Sequence, residues 1–366
     1  FFFGWLFPAM YLLLLLLLYC SHAMAARHGT ARHGNHSTGD DKAYSKWVKI
    51  NTKGRGPSAR KYHTAVMVET TMVVFGGSNG HQESNELWTL ALPKAGEFGP
   101  GKRTEPEWKQ LCTKDDCGDL IYKRKAHTAV VYDHAMFVFG GRSSSDGSMN
   151  DLWVFNFTNR HVMQWSMLCS SLQYLLWGQC NAPPSTRFGH SAVMHGSHMI
   201  IFGGKVGSHE REANDVWAMD LRSSSPLWKE LCARGSSKCG KAPSPRAYHS
   251  AVMLRSKMFV FGGGEWMSND LWMLDLEDMK KPRWTALKPE GSSPANEYHH
   301  SANLVLTDTL VVIGGHTLTG YSNDVWAASL AKNVSGGHTT HVEWLLYCEG
   351  EHSPCGEAPI ARAGHS

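Results

Sequence analysis

The sequence is short of nearly everything that marks an enzyme or a nucleic-acid binder. Its 36 basic residues against 32 acidic ones leave a formal charge of +4 over 366 residues, scattered without a Lys/Arg block, so it has no electrostatic footprint for nucleic acid. It has no His-Glu-x-x-His and no Gly-x-x-x-x-Gly-Lys-Ser/Thr, which leaves zinc-peptidase and nucleotide-phosphate chemistry without an anchor. Beyond the leader, no segment shows a helical hydrophobic period of any strength, which points away from helical architectures.

The first twenty residues carry no charge at all. Leu12 to Leu18 form an unbroken apolar run that ends in Tyr19 and Cys20, and Ala23, Met24, Ala25 and Ala26 then supply small residues at the spacing signal peptidase needs. A signal peptide over residues 1–26, cleaved near Ala25 or Ala26, and a polar linker over 27–46 are expected. The competing reading is an uncleaved anchor, because the apolar run is nearly long enough to span a bilayer. No Met precedes Phe1, so a positively charged n-region would lie upstream. Membrane contact is expected only through this segment or through a part of the protein beyond residue 366.

Cysteine usage agrees with an exported protein. Apart from Cys20, eight cysteines fall into four close pairs: Cys112 with Cys117, Cys169 with Cys180, Cys232 with Cys239, and Cys348 with Cys355. Local pairing in even number reads as disulfides, whereas zinc knuckles want Cys-x-x-Cys spacing two at a time. Each pair begins four residues after a tryptophan, as in Trp108-Lys-Gln-Leu-Cys112, so each disulfide is expected to pin the loop that leaves an outer strand. Asn35, Asn156 and Asn333 open glycosylation triplets.

A repeat dominates the remainder. Glycine pairs close short apolar runs at Gly76-Gly77, Gly140-Gly141, Gly203-Gly204, Gly262-Gly263 and Gly314-Gly315. A histidine followed by Ser or Thr and then Ala precedes each pair, at His63, His127, His190, His249 and His300. An Asn-Asp/Glu-Leu/Val-Trp segment follows each pair and ends at Trp88, Trp153, Trp217, Trp272 and Trp326, and a further tryptophan closes each unit at Trp108, Trp165, Trp228, Trp284 and Trp344. Each unit offers four strand-like runs, in the first near Tyr62–Val68, Met72–Phe75, Glu86–Leu92 and Trp108–Leu111. Four strands per unit is the pattern of a propeller blade. The glycines suit a turn at positive φ where another backbone comes close, and the tryptophans suit inter-blade interfaces where an indole N–H can meet a carbonyl.

These residues resemble the kelch repeat family, with its His-Ser, Gly-Gly, Asn-Asp-Leu-Trp and Trp signals in strands one to four, from Trp47 to Ser366. The resemblance implies an all-β kelch propeller over 47–366, with five complete four-stranded blades and two partial ones. Trp47 is then the outer strand of an incomplete blade, Arg362-Ala-Gly-His365-Ser366 begins another, and the parent ring has six or seven blades with a C-terminal portion beyond this sequence. In style the chain resembles secreted or membrane-anchored kelch proteins such as attractin.

Because the histidine recurs in an Arg-x-x-His pattern, its role is expected to be structural, with equivalent positions too far apart around the ring to share a metal. Glu297 breaks the arginine series, and the arginines are expected to form either an interrupted rim or local salt bridges. The functional expectation is a non-enzymatic module, without cofactor or metal, that binds a protein or glycan on a loop face. The longest loops, Pro93–Pro106 and Ser170–Pro184, are candidate contacts or mere spacers. Two alternatives remain open. A secreted copper oxidase resembling galactose oxidase would need a Tyr linked to a spare Cys, and every cysteine past the leader has a neighbouring partner. An intracellular kelch adaptor would require the apolar leader to be an artefact of gene prediction.

Overall fold

The computed structural model describes residues 47–365, except 48, 94–104, 113–120, 159–162, 172–179, 224, 265–267, 296–297, 306, 332–340, 350–354, 356–358, 360 and 362. The leader and linker expected over 1–46 therefore lie outside the described residues. Period-two and short all-apolar runs bounded by turns dictate strands, and strands are what form. Blade 1 comprises β1 (Thr64–Val68), β2 (Thr71–Phe75), β3 (Leu87–Ala91) and β4 (Trp108–Cys112), within a residue or two of the runs read from sequence. Blade 2 comprises β5 (Thr128–Tyr132), β6 (Ala135–Phe139), β9 (Leu152–Asn156) and β10 (Trp165–Cys169), with a small ribbon, β7 (Arg142–Ser143) and β8 (Gly147–Ser148), at the tip of its middle hairpin. Blade 3 has a short lead-in, β11 (Arg187–Phe188), and then β12 (Ser191–His195), β13 (His198–Val206), β14 (Arg211–Asp220) and β15 (Trp228–Cys232). Blade 4 is β16 (Ser250–Leu254), β17 (Lys257–Gly263), β18 (Ser268–Asp275) and β19 (Arg283–Glu290). Blade 5 is β20 (Ser301–Val305), β21 (Thr309–Thr317), β22 (Gly320–Ser329) and β23 (His341–Cys348). Each blade is an antiparallel meander, and the chain forms a kelch β-propeller.

The core lies between blades. Between blades 1 and 2, Val73 and Phe75 meet Met136, Val138, Trp153 and Trp165. One aromatic contact repeats at four interfaces, with a second-strand Phe against the fourth-strand Trp of the next blade: Phe75–Trp165 and Phe139–Trp228 at 4.8 Å, Phe202–Trp284 and Phe261–Trp344 at 5.1 Å. Large rings on twisted sheets fill the wedge between blades. In blade 5 Ile313 stands where the others have Phe, and Trp47 packs on the cluster that contains it.

Trp47 is thus the outer-strand tryptophan of a sixth blade position. Lys53 bridges Glu107 in parallel, as Lys288, Pro289 and Glu290 at the end of β19 pair in parallel with His341, Val342 and Glu343 of β23. The two partial units expected from sequence share one place, because Gly364 enters the same sector from the other side. The amides of Tyr62, Ala126, Gly189, Tyr248, His299 and Gly364 each donate to the carbonyl of the preceding member, at 2.7–3.1 Å, and Tyr62 closes the circle onto Gly364. Six places surround the axis. All six residues have left-handed backbone, with φ between +53° and +69°.

Gly77 shows why its position admits no side chain. With φ at +90°, an added Cβ would lie 2.7 Å from the His63 Cβ and 3.0 Å from the Lys61 carbonyl oxygen, the inner strand of its own blade.

Candidate functional site

The residue before each motif histidine lies at the axis, where these six positions converge. Their side chains are unequal. Tyr62, Tyr248 and His299 meet over one mouth of the axial channel, with ring centroids 6.0 Å (Tyr62–Tyr248), 5.0 Å (Tyr62–His299) and 4.0 Å (Tyr248–His299) apart. The other three members are Ala126, Gly189 and Gly364. A Cβ on Gly189 would come within 2.9 Å of the Tyr248 ring, and one on Gly364 within 2.8 Å of the Tyr62 ring. The small members make room for the rings.

From this triad a ladder of rings runs outward over blade 5. His299 contacts Tyr298 at 4.5 Å, Tyr298 contacts His316 at 5.0 Å, and His316 contacts Tyr321 at 5.0 Å. It ends beside the β21–β22 turn, where Tyr321 and Leu318 are 63% and 76% exposed, too much for core residues. Lys61 stacks on the Tyr62 ring at 5.4 Å, and Arg142 stacks on Phe188 at 5.3 Å while pairing with Glu210 at 2.6 Å. Burial, followed by the charges of His316, Lys61 and Lys205, pushes the His299 pKa down to about 3. Burial raises the Tyr62 and Tyr248 hydroxyls above their ordinary value. At neutral pH the Tyr62–Tyr248–His299 triad is therefore uncharged, and phenol and imidazole hydrogen-bonding groups line the polar edges of the ladder.

Below the mouth lies a channel of about 280 Å³, lined by Thr64, Thr128, Ser191, Ser250 and the motif histidines. Those histidines are buried latches. His127 Nε2 is hydrogen-bonded to Thr64 Oγ1 of the preceding blade at 2.9 Å, His190 to Thr128 at 2.8 Å, His249 to Ser191 at 2.9 Å, and His300 to Ser250 at 2.8 Å. Burial, and then the neighbouring Arg or His charges, lowers the pKa of each, so all four are neutral. No group of three or more potential ligands is placed to hold a metal among the described residues.

Among the described residues the arginines of the series form no rim. Arg124, Arg187 and Arg246 are fully buried and paired with Asp151, Asp215 and Asp270 of the Asn-Asp-x-Trp segment, at 2.8, 2.8 and 2.7 Å. Glu297, where the series breaks, lies outside the described residues. The same carboxylates accept the third-strand indoles, Trp153 Nε1 at 2.6 Å, Trp217 at 2.7 Å and Trp272 at 2.6 Å, where the sequence reading expects carbonyl partners. The segment's asparagines donate instead to loop carbonyls, Asn150 to Pro184 and Asn214 to Pro243, both at 2.9 Å.

Cys169–Cys180, Cys232–Cys239 and Cys348–Cys355 are disulfides with Cα separations of 6.0, 5.9 and 5.9 Å. Cys112 is also disulfide-bonded, while Cys117 lies outside the described residues. No described cysteine is therefore a free thiol for the Tyr–Cys link an oxidase would need. One Gly-x-Ser-x-Gly match, Gly76 to Gly80, belongs to the kelch turn: Ser78 bridges Lys61 and Glu83 in extended backbone, not at a strand-to-helix elbow. Most of the two loops marked as candidate contacts lies outside the described residues, as do Asn35 and Asn333.

Residues 102–240 and 236–366 match the family described as the KLHDC2/KLHL20/DRC7 kelch-repeats domain. The chain belongs to this kelch-repeat family. It is 27% identical over 285 residues to Acyl-CoA-binding domain-containing protein 4 of Arabidopsis thaliana, covering 77% of this chain and 39% of that protein. It is 26% identical over 315 residues to Kelch domain-containing protein 2 of Bos taurus, covering 80% and 70%. Adagio-like protein 3 of Oryza sativa subsp. japonica matches at 27% over 285 residues, 76% of this chain and 41% of that protein. The chain thus spans about two fifths of the two plant relatives. These likenesses carry the kelch repeat; they do not carry the attractin-like style.

Proposed function

We propose that this kelch propeller is an exported, non-enzymatic module that docks a protein partner across the face bearing the aromatic ladder. The observation that carries the docking is the continuity of that ladder, from the Tyr62–Tyr248–His299 triad to the exposed Tyr321 and Leu318. Tyr and His rings held by a hydrogen-bonded backbone offer large contact area at little ordering cost, and tyrosine is among the residues enriched in interface hot spots. Export is supported by the apolar leader and by the disulfides closing the outer loops.

The test is site-specific photo-cross-linking in the full chain, with a photoreactive residue at Leu318 or Lys61 on the ladder face and at Leu227 on the opposite face. A protein adduct at the first two positions, absent at Leu227 and lost in Tyr321→Ser, supports the reading. Adducts at Leu227 alone, or a glycan in place of a protein, would overturn it.

A further inference from the structure

We infer that Asn156 is an N-glycan acceptor and that the propeller divides its faces, sugar on one and partner on the other. The inference rests on the export half of the reading above. Asn156 is exposed at the last position of β9, within Asn156-Phe157-Thr158. Its Oδ1 accepts two hydrogen bonds from Thr158, the backbone N–H at 2.8 Å and Oγ1–H at 2.7 Å, and Nδ2 has no partner among the described residues. Phe157 anchors the middle of the triplet, donating its N–H to the His134 carbonyl at 3.1 Å and packing its ring on Phe155 at 5.0 Å. The Asn–Thr contacts link residues two apart, so the turn can form in an emerging chain before the blade does. In the folded blade Asn156 is exposed.

Two donors on Oδ1 hold the carboxamide with its nitrogen free. In the reaction the Nδ2 lone pair attacks the anomeric carbon of a lipid-pyrophosphate-linked oligosaccharide. The new N–C bond forms as the C–O bond to pyrophosphate breaks; the lipid pyrophosphate leaves with the electron pair, and the Nδ2 proton passes to a base of the transferase. Strand register fixes the side on which the sugar stands. Leu152 pairs with Phe139 beside the Gly140-Gly141 turn, whereas Asn156 pairs with Ala135 at the far end of the sheet. The ladder residues His316 and Tyr321 follow Gly314-Gly315 at the glycine end.

The full chain, produced in eukaryotic cells, is treated with peptide N-glycosidase, and mobility, peptide mass and cysteine oxidation are read together. The inference expects a mobility shift and an Asn-to-Asp conversion at residue 156. The conversion at residue 156 and the part of the shift due to it are lost in N156Q and T158A and retained in T158S, and photo-cross-linking at Leu318 is unchanged in N156Q. Secreted, disulfide-bonded protein with unmodified Asn156 would overturn the inference and leave export standing. Protein retained outside the lumen with free thiols at Cys232 and Cys239 would overturn both.

Discussion

The amide of Tyr62 donates to the carbonyl of Gly364 at 2.7 Å, so the start of blade 1 is fastened to the stretch that follows blade 5. That bond completes the six-place axial ring, which holds three side chains at the base of the aromatic ladder. Gly364 has φ at +69°, and an added Cβ would lie 2.8 Å from the Tyr62 ring. Gly364→Val is expected to cost about 1–3 kcal/mol of stability, from strained backbone and a displaced ring, measured by denaturant unfolding. Gly80→Ala is the control: φ is +96° with nothing near the new Cβ, so it reports backbone strain alone.

The buried ion pairs predict a different response. Arg187 is fully buried and its partner Asp215 nearly so, with paired contacts at 2.9 and 2.8 Å. Arg187→Met leaves a buried carboxylate without its cation and is expected to cost about 3–5 kcal/mol, whereas Arg187→Met with Asp215→Leu recovers much of that loss. The Arg60–Glu86 pair, whose Glu side chain is 40% exposed, should cost less when broken. Equal losses at the two sites would contradict this assignment of burial.

The histidine latches make stability depend on pH in a defined direction. Burial pushes the His63 and His300 pKa values down to about 3, while an unfolded histidine titrates near 6.5. The unfolded state therefore binds protons first. Stability from these groups is fully present above about pH 6.5 and is lost as pH falls toward 3, by up to about 1.4 kcal/mol per pH unit for each histidine. Between pH 6.5 and 5 most carboxylates stay ionised, so the slope of unfolding free energy there reports the latches together with His299. His300→Gln should flatten that slope by up to one proton, and an unchanged slope would contradict a neutral buried His300.

The fold was readable because a propeller repeats its requirements. Gly77 must lack a side chain, and Trp165 and Trp228 fill equivalent wedges, so the same residues recur at every blade. The arginine partners were not assigned from sequence, which left a rim and local salt bridges both open; Asp151 and Asp215 lie in the segment that marks strand three. The aromatic triad at the axis was not readable. It stands among positions that vary between blades, Tyr62, Ala126, Gly189, Tyr248, His299 and Gly364, and a reading that looks for recurrence passes over them. The signal available was their place immediately before each motif histidine, where first strands crowd the axis.

The direct measurement is amide hydrogen exchange, resolved by residue, at the six axial positions of the full chain. The account predicts that Tyr62 and Gly364 exchange as slowly as Ala126, Gly189, Tyr248 and His299, with all six opening only with the whole propeller. Exchange of Tyr62 and Gly364 at the rate of surface loops, with the other four protected, would mean that the ring is open and the ladder has no fixed base.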